Sequence, residues 1–172
     1  MVLVAAIPGK GAWSCVCYDD NENIIWDALM GYEDGYDGIH AETYVETTNN
    51  RMEIKGLTAA CELATTKYKD YNVIIYCDSA YCVNMFNQWI ENWAANNWIG
   101  SSKEQVKNLD LVKKLYQYKQ IEFPNFTVEK VEGHQSIIGN ELADAYARSA
   151  TYGDATKLAK ILKENEITLA IG

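Results

Sequence analysis

The segment "NVIIYC", residues 72–77, most constrains the fold, because it is a short apolar run followed at once by an acid, Asp78. A run of this length without polar alternation is typical of a strand that is buried on both faces of a sheet. Such a sheet needs helices on either side, and segments with strand and helix patterns do alternate along the chain. The sequence therefore predicts an α/β domain.

The segments around this strand carry recognisable patterns. "AWSCVCYDD" and "NIIWDALMGY", on either side of a turn, predict a hairpin, and "FTVEKV" alternates as a further strand. Helices are expected in "TTNNRMEIKGLTAACELATTKY", in "SAYCVNMFNQWIENWAANNW" as one or two pieces, and in "NLDLVKKLYQY", "GNELADAYARSA" and "DATKLAKILKEN". In the first of these, apolar residues recur at helical spacing: Met52, Leu57, Ala60, Cys61 and Ala64.

Length and composition narrow the class of protein. The 172 residues suit a single domain over 1–172, with an exposed acidic loop at 33–46 and a helical extension at 152–172. The five cysteines are odd in number and none has C-x-x-C spacing, so we interpret them as reduced core thiols. No apolar run has membrane length and no signal-like N-terminus is present, which predicts a cytoplasmic protein without membrane contact. The net charge of -9, taken alone, argues against nucleic-acid binding.

Three carboxylates stand where a site is expected. Asp78 ends the buried strand, whereas Glu53 and Asp144 lie near the starts of two predicted helices. Strand ends and helix starts meet at one rim of an α/β sheet, and mutual repulsion there should raise the pKa of at least one carboxylate. Structural interpretations remain open at this point, since Glu53 and Asp144 could complement helix dipoles and Asp78 could cap a helix.

The local motifs favour the functional interpretation. "TTNNRME", "YCDSAY", "NQWIENW", "VKNLDL" and "VEGH" followed by "GNELAD" occur in an order and at spacings that resemble bacterial type 1 ribonuclease H, from Pro8 to about Ala150. The resemblance implies a ribonuclease H-like α/β fold, with a five-stranded mixed sheet of order 3-2-1-4-5 flanked by helices. It also implies endonucleolytic cleavage of the RNA strand of RNA–DNA hybrids with two Mg²⁺ ions, or Mn²⁺ as a substitute, by a monomer.

The resemblance assigns roles to individual residues. Glu53, Asp78 and Asp144 match catalytic metal ligands, and His134 matches a loop histidine that helps to transfer protons or release product. Carboxylate oxygens suit Mg²⁺, and two such ions can activate a water and stabilise the leaving oxygen. The residues that match substrate contacts are Asn49 and Asn50 in the minor groove, Trp89 at the DNA strand, Thr48, Lys107 and Asn108 at a DNA phosphate, and Asn140. Trp93 and Trp98 also match aromatic positions of the family, and we expect Trp93 to belong more to the core than Trp89 does.

Two departures from the family weaken the expected attraction for nucleic acid. The protruding helix of the family carries a basic cluster, whereas this chain has "AANN" at 94–97, and Glu132 replaces the usual Lys before "GH". With the acidic segment 33–46, these changes predict weak hybrid binding with a shallow salt dependence.

The third departure concerns the first strand, which in the family ends in "DG[SA]" and supplies an Asp that bridges both metals. Here the chain reads "MVLVAAI" before "PGKGAW", with no acid before Asp19. One explanation is a frameshift, because suitable codons for a family-like "DGACSGN" give Met1 to Ile7 when read one nucleotide late. The other is a divergent first strand over Val2 to Ile7, between the hairpin and "NVIIYC". Either way we expect impaired cleavage, and the alternative function is a catalytically dead domain that binds hybrids or a protein partner.

Overall fold

A computed structural model of the chain describes residues 2–6, 12–18, 24–32, 41–131, 145, 160 and 163, with side chains from residue 50 onward. The described strands form one five-stranded sheet of order β3-β2-β1-β4-β5. The strands are β1 (Val2–Ala6), β2 (Ala12–Tyr18), β3 (Ile24–Tyr32), β4 (Val73–Cys77) and β5 (Phe126–Lys130). The first three pair antiparallel, whereas β4 runs parallel to both β1 and β5, so the predicted mixed sheet and its order are confirmed.

Strand β1 occupies the centre of this sheet. It pairs antiparallel with β2 and parallel with β4, and its Ala5 lies opposite Cys77. A central strand has neighbours on both sides and suits a continuously apolar sequence such as "VLVAA". The expectation of an apolar first strand is therefore confirmed, and its carboxyl end lies at the edge of the sheet from which Asp78 emerges.

The described helices are α1 (Ala41–Thr65), α2 (Ala80–Asn84), α3 (Ile90–Ala95) and α4 (Leu109–Lys119). A π-helical turn, Met85–Trp89, joins α2 to α3, so the predicted two-piece helix is one helical segment with a widened turn. Ala145, Lys160 and Lys163 are also helical. None of the helices in the described ranges is long and apolar enough to cross a membrane.

The start of α1 corrects one prediction. Residues 41–46 were expected to belong to the acidic loop, but they form the first turns of α1. An acid-rich sequence is compatible with a helix start, because acids in the first turn complement the positive end of the helix dipole, and Glu42 is the second residue of α1. Residues 33–40 lie outside the described part of the chain.

The core lies between the sheet, α1 and α4. All five α1 residues that were picked out by helical spacing are fully buried: Met52, Leu57, Ala60, Cys61 and Ala64. All of them except Met52 belong to one cluster with alternate residues of β4 and β5 and with the apolar side of α4, which contributes Leu111, Val112 and Leu115. Complete burial of a Leu or Ile side chain contributes about 1.5–3 kcal/mol. Cys61, Cys77 and Cys82 are buried and are not in disulfides, as expected for reduced core thiols.

Asn125 fixes the chain between α1 and β4. Its Nδ2 lies 2.7, 3.1 and 3.0 Å from the carbonyl oxygens of Ala64, Tyr68 and Tyr71. The backbone carbonyl of Asn125 accepts a hydrogen bond from the Val73 amide at 2.8 Å, at the point where β4 begins. The last backbone carbonyls of a helix have no N–H donor within the helix, and the side-chain amide of Asn125 supplies hydrogen bonds at this end of α1. The contact therefore sets where β4 enters the sheet.

Candidate active site

The turn after β4 places two polar residues at the edge of the sheet. Asp78 is exposed, whereas Ser79 is only 9% exposed and caps α2 by accepting from the Cys82 amide at 3.2 Å. The alternative that Asp78 itself caps the helix is therefore wrong. Asp78 takes its position from the end of a buried strand on one side and a capped helix on the other.

Glu53 reaches this turn from α1. The Ser79 hydroxyl donates to Glu53 Oε2 at 2.8 Å, although the two residues are 26 positions apart. The α1 carboxylate therefore lies against the residue that follows Asp78 in the chain. Glu53 is also well past the first turn of α1, which begins at Ala41, so the helix-dipole interpretation of Glu53 is wrong because that effect fades within one turn.

Burial raises the pKa of Glu53 above its ordinary value of 4.5, and the hydrogen bond from Ser79 lowers it in part. The direction agrees with the expected shift, but the cause is desolvation and not the mutual repulsion that the sequence suggested. Burial also raises the pKa of the nearby Tyr81, to which the charges of Cys82 and Glu53 add. Burial makes the charged form of a carboxylate unfavourable, and a bound cation would compensate that charge.

These two carboxylates have the chemistry of a hard-cation site. Mg²⁺ prefers carboxylate oxygens and keeps several waters, so Glu53 and Asp78 suit it as ligands. Within the part of the chain that the structure describes, no group of three or more His, Cys, Asp or Glu side chains is placed to hold a metal. Asp144, His134 and Asn140 lie outside the described residues, and their assignment stays a prediction.

Strand β1 brings no acid to this edge. Its register with β4 pairs Ala5 with Cys77, so Ala6 stands one residue beyond that pair, as Asp78 stands one beyond Cys77. The strand sequence "VLVAA" contains no carboxylate. A ligand contributed from the end of β1 would therefore have to replace Ala6. In the frameshift explanation the Asp of the family corresponds to Met1, which precedes β1, so the register does not place that position level with Asp78.

Sequence reasoning missed Ser79. Its signal was present, because a Ser directly before a helical stretch is a common N-cap and the segment reads "CDSAY". The second partner of Ser79, Glu53, could not be predicted from local sequence, since that contact depends on how α1 packs against the turn after β4.

The expected DNA-phosphate residues lie on α1 and directly before α4, and an ion pair joins these two helices. The Arg51 guanidinium donates to both carboxylate oxygens of Asp110, with Nη1–Oδ1 and Nη2–Oδ2 distances of 3.0 Å each. Thr48 is one turn before Arg51 in α1, while Lys107 and Asn108 directly precede α4. The bidentate pair therefore brings these two backbone segments together.

Other predicted substrate residues differ in exposure. Lys107 is exposed, and Asn108 is half-buried and adopts a left-handed backbone (φ 58°), which Asn tolerates better than most residues. Asn50 is half-buried on α1. The side chains of Thr48 and Asn49 lie outside the described residues.

Two of the three predicted aromatic positions, Trp89 and Trp93, form a row with Tyr81 along the helical segment from α2 to α3, whereas Trp98 packs edge-on against Tyr116 at 5.3 Å. The ring centroids of Tyr81 and Trp89 are 6.1 Å apart, and those of Trp89 and Trp93 are 6.0 Å apart. Trp89 is 36% exposed whereas Trp93 packs against the core, in agreement with the expectation. Both line a groove of about 500 Å³ with Asn92 and Asn96, and none of the described residues that line it is charged.

Comparison with known proteins decides the family. The sequence model of the RNase H family matches residues 5–152. The chain belongs to the ribonuclease H family. Ribonuclease H of Caldicellulosiruptor saccharolyticus is 37% identical over 143 residues, which cover 83% of this chain and 86% of that protein. Ribonuclease H of Rickettsia akari is 42% identical over 145 residues, with 83% and 82% covered. The recognition made from the motifs is therefore confirmed.

Solved structures show the same fold. The solution structure of the PFV RNase H domain superposes with a TM-score of 0.65 at 17% identity, covering 88% of this chain and 94% of that domain. LC9-RNase H1, described as a type 1 RNase H with the type 2 active-site motif, gives a TM-score of 0.60 at 20% identity, with 88% and 72% covered. The ribonuclease H fold predicted for this chain is thereby confirmed.

Proposed function

We propose that this ribonuclease H family member binds RNA–DNA hybrids and hydrolyses their RNA strand with divalent cations, Mg²⁺ or Mn²⁺, and that cleavage by this chain is strongly impaired. The single observation that carries the cation site is the contact between Glu53 and Ser79. It joins a carboxylate of α1 to the turn that bears Asp78.

Separate residues of the chain would bind the cation, transfer a proton and contact the hybrid. Glu53 and Asp78 would hold the cation, with Asp144 as a third ligand and His134 moving a proton at the leaving oxygen. Bound divalent cations lower the pKa of an attacking water and offset charge at a phosphate. Asn49, Asn50 and Asn140 would contact the hybrid, while Thr48, Lys107 and Asn108 would hold a DNA phosphate and Trp89 the DNA strand.

Impairment follows from β1. The strand sequence "VLVAA" contains no acid, so β1 contributes no carboxylate where it ends beside β4. At most one cation should therefore bind well. Two cations share the work of an in-line displacement, and the loss of one should therefore slow cleavage by orders of magnitude.

Cleavage of an end-labelled RNA–DNA hybrid with Mg²⁺ or Mn²⁺ tests this proposal. We expect little cleavage by the unmodified chain and a gain of about tenfold or more, which is about 1.4 kcal/mol, in Ala6→Asp. Ala6→Asn is the matched control, since it has the same shape without the charge. Robust Mg²⁺-dependent cleavage by the unmodified chain would refute the impairment, because another acid would then have to reach the site.

The second candidate function is a catalytically dead domain that binds hybrid nucleic acid or a protein partner, and the acid-free β1 favours it. Hybrid binding without any cleavage in Ala6→Asp would support this alternative. We further propose that the chain acts as a monomer in the cytoplasm. Sedimentation of the purified chain at several concentrations tests the first point.

A further inference from the structure

We propose that Ser79 is a positioning residue for the cation site, which orients the Glu53 carboxylate while it caps α2. The inference rests on the proposed function, because it assigns to Ser79 the task of presenting a cation ligand. Ser79 itself would not touch the cation or the substrate.

The Ser79 hydroxyl has two fixed partners. It donates to Glu53 Oε2 at 2.8 Å and accepts from the Cys82 amide at 3.2 Å. A hydroxyl has one proton, and the amide can only donate, so the proton must point to the carboxylate. The capping contact therefore sets the direction in which Ser79 donates.

The position of Ser79 makes this geometry rigid. Ser79 is 9% exposed and stands between Asp78 and the first turn of α2, whose Cys82 is fully buried. Fixing Oε2 of Glu53 removes rotation of the carboxylate about its last bond. The Glu53 carboxylate is thereby held against the turn that bears Asp78. Groups that orient metal ligands in this way typically account for about 10–100-fold in metal affinity.

Three substitutions separate the two roles of Ser79. Ser79→Thr keeps both the donor and the cap. Ser79→Ala removes both, and a lost cap costs about 1 kcal/mol. Ser79→Gly removes the donor but costs only a few tenths of a kcal/mol as a cap. Asn87→Ala is a matched control, because it removes one hydrogen bond to the Val128 carbonyl, on β5, and leaves the Glu53 contact intact.

The main measurement is the binding of Mn²⁺ to the intact chain without nucleic acid, with free Mn²⁺ quantified by its EPR signal. Thermal unfolding of each variant in EDTA measures its stability. We expect Ser79→Ala and Ser79→Gly to bind Mn²⁺ about tenfold more weakly, at the lower end of the usual range. Ser79→Thr should stay within about twofold of the unmodified chain, and Asn87→Ala should lower stability without changing Mn²⁺ affinity.

The outcomes distinguish this inference from the proposed function. Equal Mn²⁺ affinity of Ser79→Gly and the unmodified chain, with loss of binding in Glu53→Gln, would show that Ser79 is only a cap. The proposed cation site would then stand without it. Absence of Mn²⁺ binding by the unmodified chain would overturn both. Failure of Ser79→Thr to retain affinity would also count against the inference, because that variant keeps the donor.

Discussion

The ion pair between Arg51 and Asp110 should stabilise the fold by about 1 kcal/mol. Exposed ion pairs typically contribute about 0.2–1 kcal/mol. This pair belongs at the upper end because it is bidentate, with both nitrogen–oxygen distances at 3.0 Å, and because the Arg51 side chain is only 20% exposed. The Asp110 side chain is 60% exposed, so solvent screening keeps the value from rising further.

A double-mutant cycle in urea measures this coupling, with Arg51→Met, Asp110→Asn and the double variant. The cycle is needed because Arg51 makes contacts beyond this pair, so the single Arg51 variant overstates the contribution of the pair. A loss of 1 kcal/mol should lower Tm by about 2–4 °C in a chain of this size. Arg51→Lys keeps the charge but loses the fork, and it should retain only part of the coupling.

Salt and pH sharpen this prediction. The hydrogen bond from Arg51 holds the pKa of Asp110 below its ordinary value of 3.8. The stabilisation should therefore be complete above that value and disappear as the pH falls through the lower pKa of the folded state. At 1 M salt the screening length is about 3 Å, so the coupling should shrink. A coupling below about 0.2 kcal/mol, or one unchanged by salt, would refute the reasoning.

Three further predictions concern the site and its support. Glu53→Gln should raise the Tm measured at pH 7 in EDTA, because burial raises the pKa of Glu53 in the folded state and its charge therefore opposes folding. The gain should disappear well below pH 4.5, where the Glu53 carboxyl is protonated in both the folded and the unfolded state. Asn125→Ala should lower the free energy of unfolding in urea by about 2 kcal/mol and Asn125→Asp by about 3, because both lose the two N–H donors of the side chain and Asp also turns a negative charge toward backbone carbonyls. Equal losses in the two variants would show that the side-chain nitrogen does not face these carbonyls. Replacing Ala94, Ala95 and Asn96 with Lys should tighten hybrid binding and steepen its salt dependence in a filter-binding titration, whereas unchanged affinity would mean that this helix does not touch the hybrid.

The parts of the fold that the sequence predicted are those where burial follows a local period. The core positions of α1 could be read from their spacing, and the strand in "NVIIYC" from its apolar character. The expected burial of that strand on both faces is wrong, because only Val73, Ile75 and Cys77 are buried and Ile74 is 36% exposed. The sheet order came from the resemblance of motifs to a family, since strand pairing joins distant segments that carry no local sign of each other.

The parts that the sequence could not predict depend on contacts between distant residues. The first turns of α1 resemble a loop in sequence because they are acidic and show no helical spacing of apolar residues, although acids are common at helix starts. The pKa shift of Glu53 has burial as its cause, which is a property of how α1 packs and not of the motif. The hydrogen bond from Ser79 likewise spans 26 residues, so a cap could be predicted but its second partner could not.

Strand β1 shows why fold and activity can part in this family. The sheet needs from its central strand only backbone pairing on both sides and apolar side chains, and "VLVAA" meets both needs. The proposed hydrolysis would need something else from the same strand, a single carboxylate at the end that lies level with Asp78. Folding does not select for that acid, because a charge at the edge of a buried sheet costs free energy until a cation is bound. A chain can therefore keep the register Ala5–Cys77, and with it the whole sheet, without the carboxylate that the proposed cation site would need.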